Sequence, residues 1–202
     1  RFLKIKYIFD GKVKEPFYEN KDFLRRAIIP FSCGRDTLLT LGICNEINLN
    51  PVLTYVNDTV SPSENKIKVR FTKDIAKKFN LDFAIVENEI ENLNDFEFWN
   101  KKETCLSYSH LITSFNFLML PFTHFYKAKY IVMGNENSFD FPFINKEGFE
   151  TYISPDQSSV GMKKQNFMIS LMSNKNVSLT SVIKPLSELA ITKILFNRYV
   201  WN

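Results

Sequence analysis

Ile28-Ile29-Pro30-Phe31-Ser32-Cys33-Gly34-Arg35-Asp36-Thr37-Leu38-Leu39-Thr40 decides the fold. The apolar run reads as a buried strand. It breaks into small and polar residues and restarts with helical spacing at Leu38, Leu39, Leu41 and Ile43. Strand, tight loop and helix N-terminus in succession form an anion site, because the first amides of a helix have no internal acceptor and the macrodipole places partial positive charge there. Ser32, Thr37 and Arg35 bring hydroxyl and guanidinium donors to that end, and Gly34 opens backbone conformations closed to other residues. The loop is therefore expected to cradle phosphate.

Outward from this stretch, helix and strand signals alternate. A helix is expected from about Thr37 to Asn48, stopped by Asn48, Asn50 and Pro51, and then a strand Val52–Val56. Ser61 or Ser63 can cap a helix through Phe79, whose residues Ile67, Phe71, Ile75, Ala76 and Phe79 share a face. Phe83–Val86 reads as a third strand and Glu87–Glu97 as an acidic loop. Ser107–Ala128 reads as a long apolar helix interrupted at Pro121, and Tyr130–Met133 as a fourth strand. Beyond it the pattern predicts polar loop, a helix near Gln165–Met172, a strand within Val177–Val182 and a last helix Ser187–Tyr199. Before the first core strand (Ala27–Phe31), Phe2–Phe9 alternates apolar and basic residues and meets Asp10-Gly11, a strand and turn at a sheet edge.

Strands separated by helices of this length predict an α/β fold: a three-layer αβα sandwich on a mainly parallel, Rossmann-like sheet. In such sheets ligands sit beyond the carboxyl ends of the strands, where strand order reverses. Ser32–Thr37, Tyr55–Asp58 and Gly134–Ser138 are the three loops that meet this description.

With 202 residues, 45% of them apolar and 20 of them Phe, the chain can bury a full core, which excludes general disorder. A net charge of +4, with both signs interspersed, suits an anionic small substrate about as well as nucleic acid, and nucleic acid is not favoured. Cys33, Cys44 and Cys105 are odd in number and lack metal-ligand spacing, so a reducing, cytoplasmic compartment is expected. No run is long enough to span a bilayer, and no secretory pattern opens the stretch. The numbering begins at Arg1 rather than Met and stops at Asn202 straight after a helical pattern, so further chain is expected at either end.

The loop lacks the Walker spacing and the three spaced glycines of dinucleotide folds. Ser32-Cys33-Gly34-Arg35-Asp36-Thr37 instead resembles the PP-loop of the ATP pyrophosphatase superfamily, Ser-Gly-Gly-x-Asp-Ser after the first strand. It matches at Ser32, Gly34, Asp36 and, conservatively, Thr37; Cys33 departs at the first glycine, where a side chain is expected to narrow the space for pyrophosphate. Gly134-Asn135-Glu136-Asn137-Ser138, Gly148-Phe149-Glu150, the tract Asp156-Gln157-Ser158-Ser159 and Ile183-Lys184-Pro185-Leu186-Ser187-Glu188-Leu189 resemble one branch of that superfamily, the MurL-type epimerases of UDP-muramoyl-L-alanyl-L-glutamate. The branch's His and Lys around the polar tract are replaced here by Ser154–Ser159.

The resemblance implies one PP-loop ATP-binding domain over 1–202, with 1–26 an N-terminal strand extension and 137–202 a substrate-side region. It implies an adenine nucleotide alpha-hydrolase-like fold, ATP and Mg²⁺ as cofactors, and an AMP-forming enzyme that adenylates a small acidic substrate and releases pyrophosphate. Loop amides with Ser32, Cys33, Gly34, Arg35 and Thr37 would hold pyrophosphate, Asp36 would carry Mg²⁺, and Tyr55, Val56 and Asn57 would present backbone to adenine. Gly134 would leave room for the nucleotide, Asn135 and Glu136 would orient substrate or metal, and Asp36, Arg35 and Glu136 would form the catalytic set.

Plainer readings stand beside these. Ser32 and Thr37 can be helix caps, Asp36 favours a helix N-terminus without any ligand, and Glu136 can be a solvated loop acid. His110 and His124 read as core or surface residues of the long helix. A nucleotide-binding module without turnover and a tRNA- or nucleobase-modifying enzyme are the alternative functions, and a second copy of the chain is a candidate partner.

Overall fold

The structure is a computed structural model, and it describes residues 22–58, 62–90 and 111–199. The arm at Phe2–Phe9, the cap at Ser61, most of the acidic segment, the start of the long helix, His110 and Cys105 lie outside the described residues.

Five strands form one parallel sheet. In chain order they are β1 (Leu24–Pro30), β2 (Val52–Asn57), β3 (Phe83–Glu87), β4 (Ala128–Val132) and β7 (Ser178–Thr180); the short pair β5 (Phe143–Ile144) and β6 (Glu150–Thr151) forms a separate antiparallel hairpin. The spatial order is β3-β2-β1-β4-β7, with Ile28 beside Val52 on one flank and Ile131 on the other. The chain leaves β1 toward β2 and β3, then returns to the opposite flank for β4 and β7. The order therefore reverses between β1 and β4, which opens a crevice at their carboxyl ends.

The central strands carry buried apolar stretches, Ala27–Ile29, Val52–Leu53 and Ile131–Val132, because helices cover both faces, and successive side chains divide between them. Ile28, Val52 and Ile131 face α3 (Leu111–Leu118), α4 (Leu120–Phe125) and α5 (Ser159–Met172), where Met119, Leu120, Met162 and Ile169 close the core. Their neighbours Ile29, Leu53 and Val132 face α1 (Arg35–Glu46) and α2 (Pro62–Lys78), packing on Leu41, Cys44, Ile75 and Ala76. The last helix, α6 (Glu188–Arg198), lies on α1 through Leu39, Ile183 and Ile191. The expected three-layer α/β architecture is the one observed.

Several boundaries differ for local reasons. The long apolar helix breaks at Met119, because Pro121 has no N–H to give the preceding turn and instead occupies the start of α4. Helix α5 begins six residues before the expected Gln165. Ser158 caps it by accepting from the Gly161 amide at 3.1 Å, so the tract Ser158-Ser159 is a helix start rather than loop. The hairpin falls in a stretch expected to be loop. Asn145 closes its turn by accepting from the Glu147 and Phe149 amides, and two-residue strands carry no readable alternation. Strand β1 starts at Leu24 rather than Ala27, and β7 ends at Thr180, where the Ser181 hydroxyl turns to the Asn135 carbonyl at 2.7 Å.

Candidate functional site

A cleft lies over the crevice between β1 and β4, with walls from four segments. The first is the β1–α1 loop. Gly34 is the N-cap of α1 in extended conformation, and no side chain among the described residues caps the helix. Ser32 Oγ stands 3.4 Å from the Gly34 amide and 3.4 Å from Thr37 Oγ1, while Thr37 donates to the Gly34 carbonyl at 3.0 Å. Neither hydroxyl caps α1, so the reading of Ser32 and Thr37 as helix caps does not hold. Both line the cleft with Gly34 and Asp36.

The second wall is the end of β2, from Thr54 to Asp58. Pairing with β1 stops at Pro30–Thr54, and the Phe31 amide makes the last bond, to the Thr54 carbonyl at 2.8 Å. Pairing with β3 continues to Asn57. In a parallel ladder the amide and carbonyl of every second residue face the same neighbour. Val56 therefore turns its backbone toward the β1 side, beyond the end of that strand: one donor and one acceptor at the cleft rim.

The third wall is Met133-Gly134-Asn135 after β4. A Cβ on Gly134 would stand 3.3 Å from Asp36 Cβ and 3.4 Å from Thr37 Cγ2, so glycine lets β4 approach the first turn of α1. Asn135 is 2% exposed, and among the described residues its Nδ2 has no partner; nor has the buried hydroxyl of Thr54. Buried polar groups are almost always satisfied, so these two leave the cleft able to bond a polar ligand. The fourth wall is helical: Asn65 and Lys68 from α2, and Ile112 and Phe115 from α3, with Gln157 closing the end.

Of the residues expected at the site, the structure brings together Ser32, Gly34, Asp36, Thr37, Tyr55, Val56, Gly134 and Asn135. It directs four elsewhere. Cys33 has φ 61°, and its Sγ lies 3.2 Å from Thr72 Oγ1 and donates to the Lys68 carbonyl at 3.5 Å, toward α2. Its side chain is not among the lining groups, so the expected narrowing of the cradle does not occur. Burial pushes its thiol up from the ordinary value, against the opposing Thr72 hydrogen bond and Lys68 charge. Arg35 turns to α6, bonding Glu188 at 2.9 Å and Thr192 at 3.1 Å, with Nε 3.2 Å from Asp36. Asn57 bonds Glu87 at 2.6 Å on a neighbouring depression.

Glu136 is buried and accepts from the Ser138 amide and hydroxyl, which caps the single turn Asn137–Asp140. It is not a solvated loop acid. Behind it Lys184 donates to the carbonyls of Glu136 at 2.9 Å and Gln157 at 3.1 Å and pairs with Asp140 at 3.2 Å. Burial alone would raise the Asp140 carboxyl, but bonds from Ser159 and Lys184 hold it below its ordinary value. This brace ties the Gly-Asn-Glu element and the polar tract to the Lys-Pro-Leu-Ser-Glu element, three stretches far apart in the chain.

Lys68, Asn65, Thr54, Ile112 and Phe115 were not foreseen at the site. One topological signal points to Asn65 and Lys68: the first turns of a helix that follows a parallel strand lie at the same sheet edge as the loops. Among the described residues no group of three or more His, Cys, Asp or Glu gathers around a metal position. The cleft does offer two carboxylates, Asp36 and Asp58, beside hydroxyls and amides. That donor set fits Mg²⁺, which takes one or two carboxylates and completes its shell with phosphate and water. Among the described residues no helix is long and apolar enough to cross a membrane.

No protein-family model and no curated protein matches the sequence. Solved structures do share its fold. They include the U34-tRNA thiolase NcsA of Methanococcus maripaludis, at TM-score 0.57 and 14% identity over 85% of this chain and 56% of that one. A predicted subunit of tRNA methyltransferase from Methanocaldococcus jannaschii aligns at TM-score 0.52 and 13% identity, covering 85% and 74%. The NH3-dependent NAD synthetase of Campylobacter jejuni aligns at 0.53 and 12%, covering 88% and 65%. At such identities the likeness is one of fold, and the chain spans little more than half of the thiolase.

Proposed function

We propose that the chain is a PP-loop protein that binds ATP with Mg²⁺ in this cleft, and that it is an AMP-forming enzyme adenylating a carboxylate-like substrate. One observation carries the reading. At the strand-order reversal a single cleft joins an uncapped helix N-terminus, a carboxylate on that helix's first turn and the unpartnered buried Nδ2 of Asn135.

In this reaction a substrate oxygen attacks the α-phosphorus, the bond to the bridging oxygen breaks, and pyrophosphate leaves with the electron pair. Catalysis of this kind rests on positioning and charge stabilisation. The α1 amides, Ser32 and Thr37 hold the leaving pyrophosphate, and Lys68 faces its charge. Asp36 would hold Mg²⁺, which would supply charge neutralisation to the phosphates. The Val56 amide and carbonyl read an adenine edge. Asn135 Nδ2 donates to nucleotide or substrate, and Ile112 and Phe115 exclude water beside the reacting groups. Arg35 is a positioning residue that acts through Asp36, and Glu136 braces the wall that carries Asn135.

No curated protein matches that would carry the finer resemblance to the MurL-type epimerases, so the acceptor is proposed only as a carboxylate-like group. A second reading takes the acceptor as a base of tRNA, and the shared fold with a tRNA thiolase and a tRNA methyltransferase subunit supports it. The reading includes a cytoplasmic setting and a homodimer as the candidate assembly.

The test is pyrophosphate release from Mg-ATP across a panel of small carboxylic acids, alongside calorimetric binding of Mg-ATP. Asp36→Asn is expected to lower turnover at least ~100-fold, as loss of a group that stabilises transition-state charge does, with circular dichroism and melting unchanged. Unchanged turnover removes Asp36 from its role. Absence of Mg-ATP binding by the unaltered protein overturns the reading altogether.

A further inference from the structure

Helix α2 holds six Lys and Arg against two acidic residues, a net +4. The formal charge of the whole chain is also +4, so the rest of the sequence balances and the excess sits on this helix. Lys66, Arg70, Lys73 and Lys77 fall at i, i+4, i+7 and i+11, all exposed, and form one basic stripe with steps of about 5–6 Å over roughly 16 Å of helix. Lys66, Arg70 and Lys77 carry no ion pair among the described residues; Lys68, which lines the cleft, pairs with Glu64. About 100° round the helix from Lys66 and Arg70, and at the same i, i+4 interval, Ile67 and Phe71 are 63% and 44% exposed. The opposite face, Thr72, Ile75 and Ala76, is buried against the sheet, so the orientation is fixed.

We propose that the outer face of α2 binds a single-stranded stretch of nucleic acid, with phosphates on the Lys66–Arg70–Lys73–Lys77 stripe and a base stacked on Phe71. A row of cations at near-constant spacing complements a phosphodiester backbone, and an aromatic beside it gives any base a stacking platform. The track is continuous with the nucleotide site: Lys66 borders the depression next to the cleft, and Asn65 and Lys68, on the same turns, line the cleft itself. A strand lying along α2 therefore brings one end to the cleft, as the reading with a tRNA base as acceptor requires. The charge pattern stands without the ATP reading; only the direction of delivery rests on it.

The test is fluorescence anisotropy of a labelled uridine oligomer of about 12 nucleotides, titrated with the full chain at several salt concentrations. The triple variant Lys66→Glu/Arg70→Glu/Lys77→Glu is expected to bind more than tenfold more weakly, with the slope of log affinity against log salt reduced by about 2, near 0.7 for each lost phosphate contact. Phe71→Ala is expected to weaken binding about tenfold with the slope unchanged, as loss of stacking does. No binding by the unaltered chain near physiological salt, or equal binding by the triple variant, overturns the proposal. So does binding to phosphatidylserine vesicles that the triple variant loses while no oligomer binds. Mg-ATP calorimetry on the same triple variant separates the two sites. Retained ATP affinity with lost oligomer binding is the expected result, and a chain that binds oligomer but never ATP sinks the nucleotide reading alone.

Discussion

The guanidinium of Arg35 and the carboxylate of Glu188 meet at 2.9 Å and join the first turns of α1 and α6 across 153 positions of sequence. At the far ends of the same helices Arg198 pairs with Glu46 at 2.8 Å, so α6 runs parallel to α1 and is held at both ends. Arg35 also touches Asp36, which links the seating of α6 to the carboxylate proposed to carry the metal.

The Arg35 and Glu188 side chains are 35% and 67% exposed, so the pair is expected to add little stability. A double-mutant cycle of Arg35→Ala and Glu188→Ala in urea should give a coupling below about 1 kcal/mol. Pyrophosphate release should fall about tenfold in Arg35→Ala through kcat, with the KM for ATP little moved, because the effect passes through Asp36. A rise in KM alone would place Arg35 on phosphate directly.

Lys68 is the cation on the cleft wall among the described residues, and hydrogen bonds to charged groups are worth about 1.5–3 kcal/mol. Lys68→Met should weaken Mg-ATP binding roughly tenfold or more by calorimetry, and Lys68→Arg should recover most of the loss. Unchanged affinity in Lys68→Met would remove it from the site.

Cys33 has φ 61°, in the left-handed region that costs a side chain about 1–2 kcal/mol and costs glycine nothing. Cys33→Gly relieves that strain but adds unfolded-state entropy and loses the contact with Thr72. Its stability should stay within about 1 kcal/mol of the unaltered chain, and its ATP affinity should be preserved because the thiol lies outside the cleft. Cys33→Val should destabilise by more than ~1 kcal/mol, since a β-branched residue tolerates positive φ least. Urea melts of the two variants check the order.

Burial pushes the Cys44 thiol from 9.0 up to about 12. It also pushes the Tyr55 and Tyr199 hydroxyls from 10.0 up to about 12, helped by Asp58 and Glu46 respectively. In each case the folded state holds the proton more tightly, so the unfolded chain releases it first as pH rises. Their contribution is complete below pH 9 and is lost progressively toward pH 12. Thermal melts should show stability falling from about pH 9, and Cys44→Ala should make the fall between pH 9 and pH 10 shallower, the raised Cys33 thiol supplying the remainder before the tyrosines begin to titrate. An unchanged slope in Cys44→Ala would exclude a contribution from Cys44.

Largely apolar runs at Val52–Val56 and Tyr130–Met133, separated by helical spacing, sufficed for a parallel sheet covered on both faces, and the loop after Ile28–Phe31 sufficed for the position of the cleft. Pro121 marked its own break. The β5–β6 hairpin was not legible, because two residues per strand hold no periodicity. Helix α5 was legible only from Gln165 on, because its first turns, Ser-Val-Gly-Met-Lys-Lys, read as polar surface.

The sequence by itself determined the layer architecture, the strand–loop–helix unit and the set of loops at the carboxyl edge. Those follow from hydrophobic period and turn chemistry among near neighbours in the chain. Only the tertiary structure decided which way each candidate side chain turns. Arg35 leaves the cleft for Glu188 and Thr192, Cys33 for Thr72 and Glu136 for Ser138, while Lys68 comes to the cleft from α2. Three of these four placements depend on partners or walls that lie far along the chain and become neighbours only once the sheet assembles, so no local pattern encodes them. The fourth, Glu136 on Ser138, is settled by burial, which is equally a property of the assembled fold.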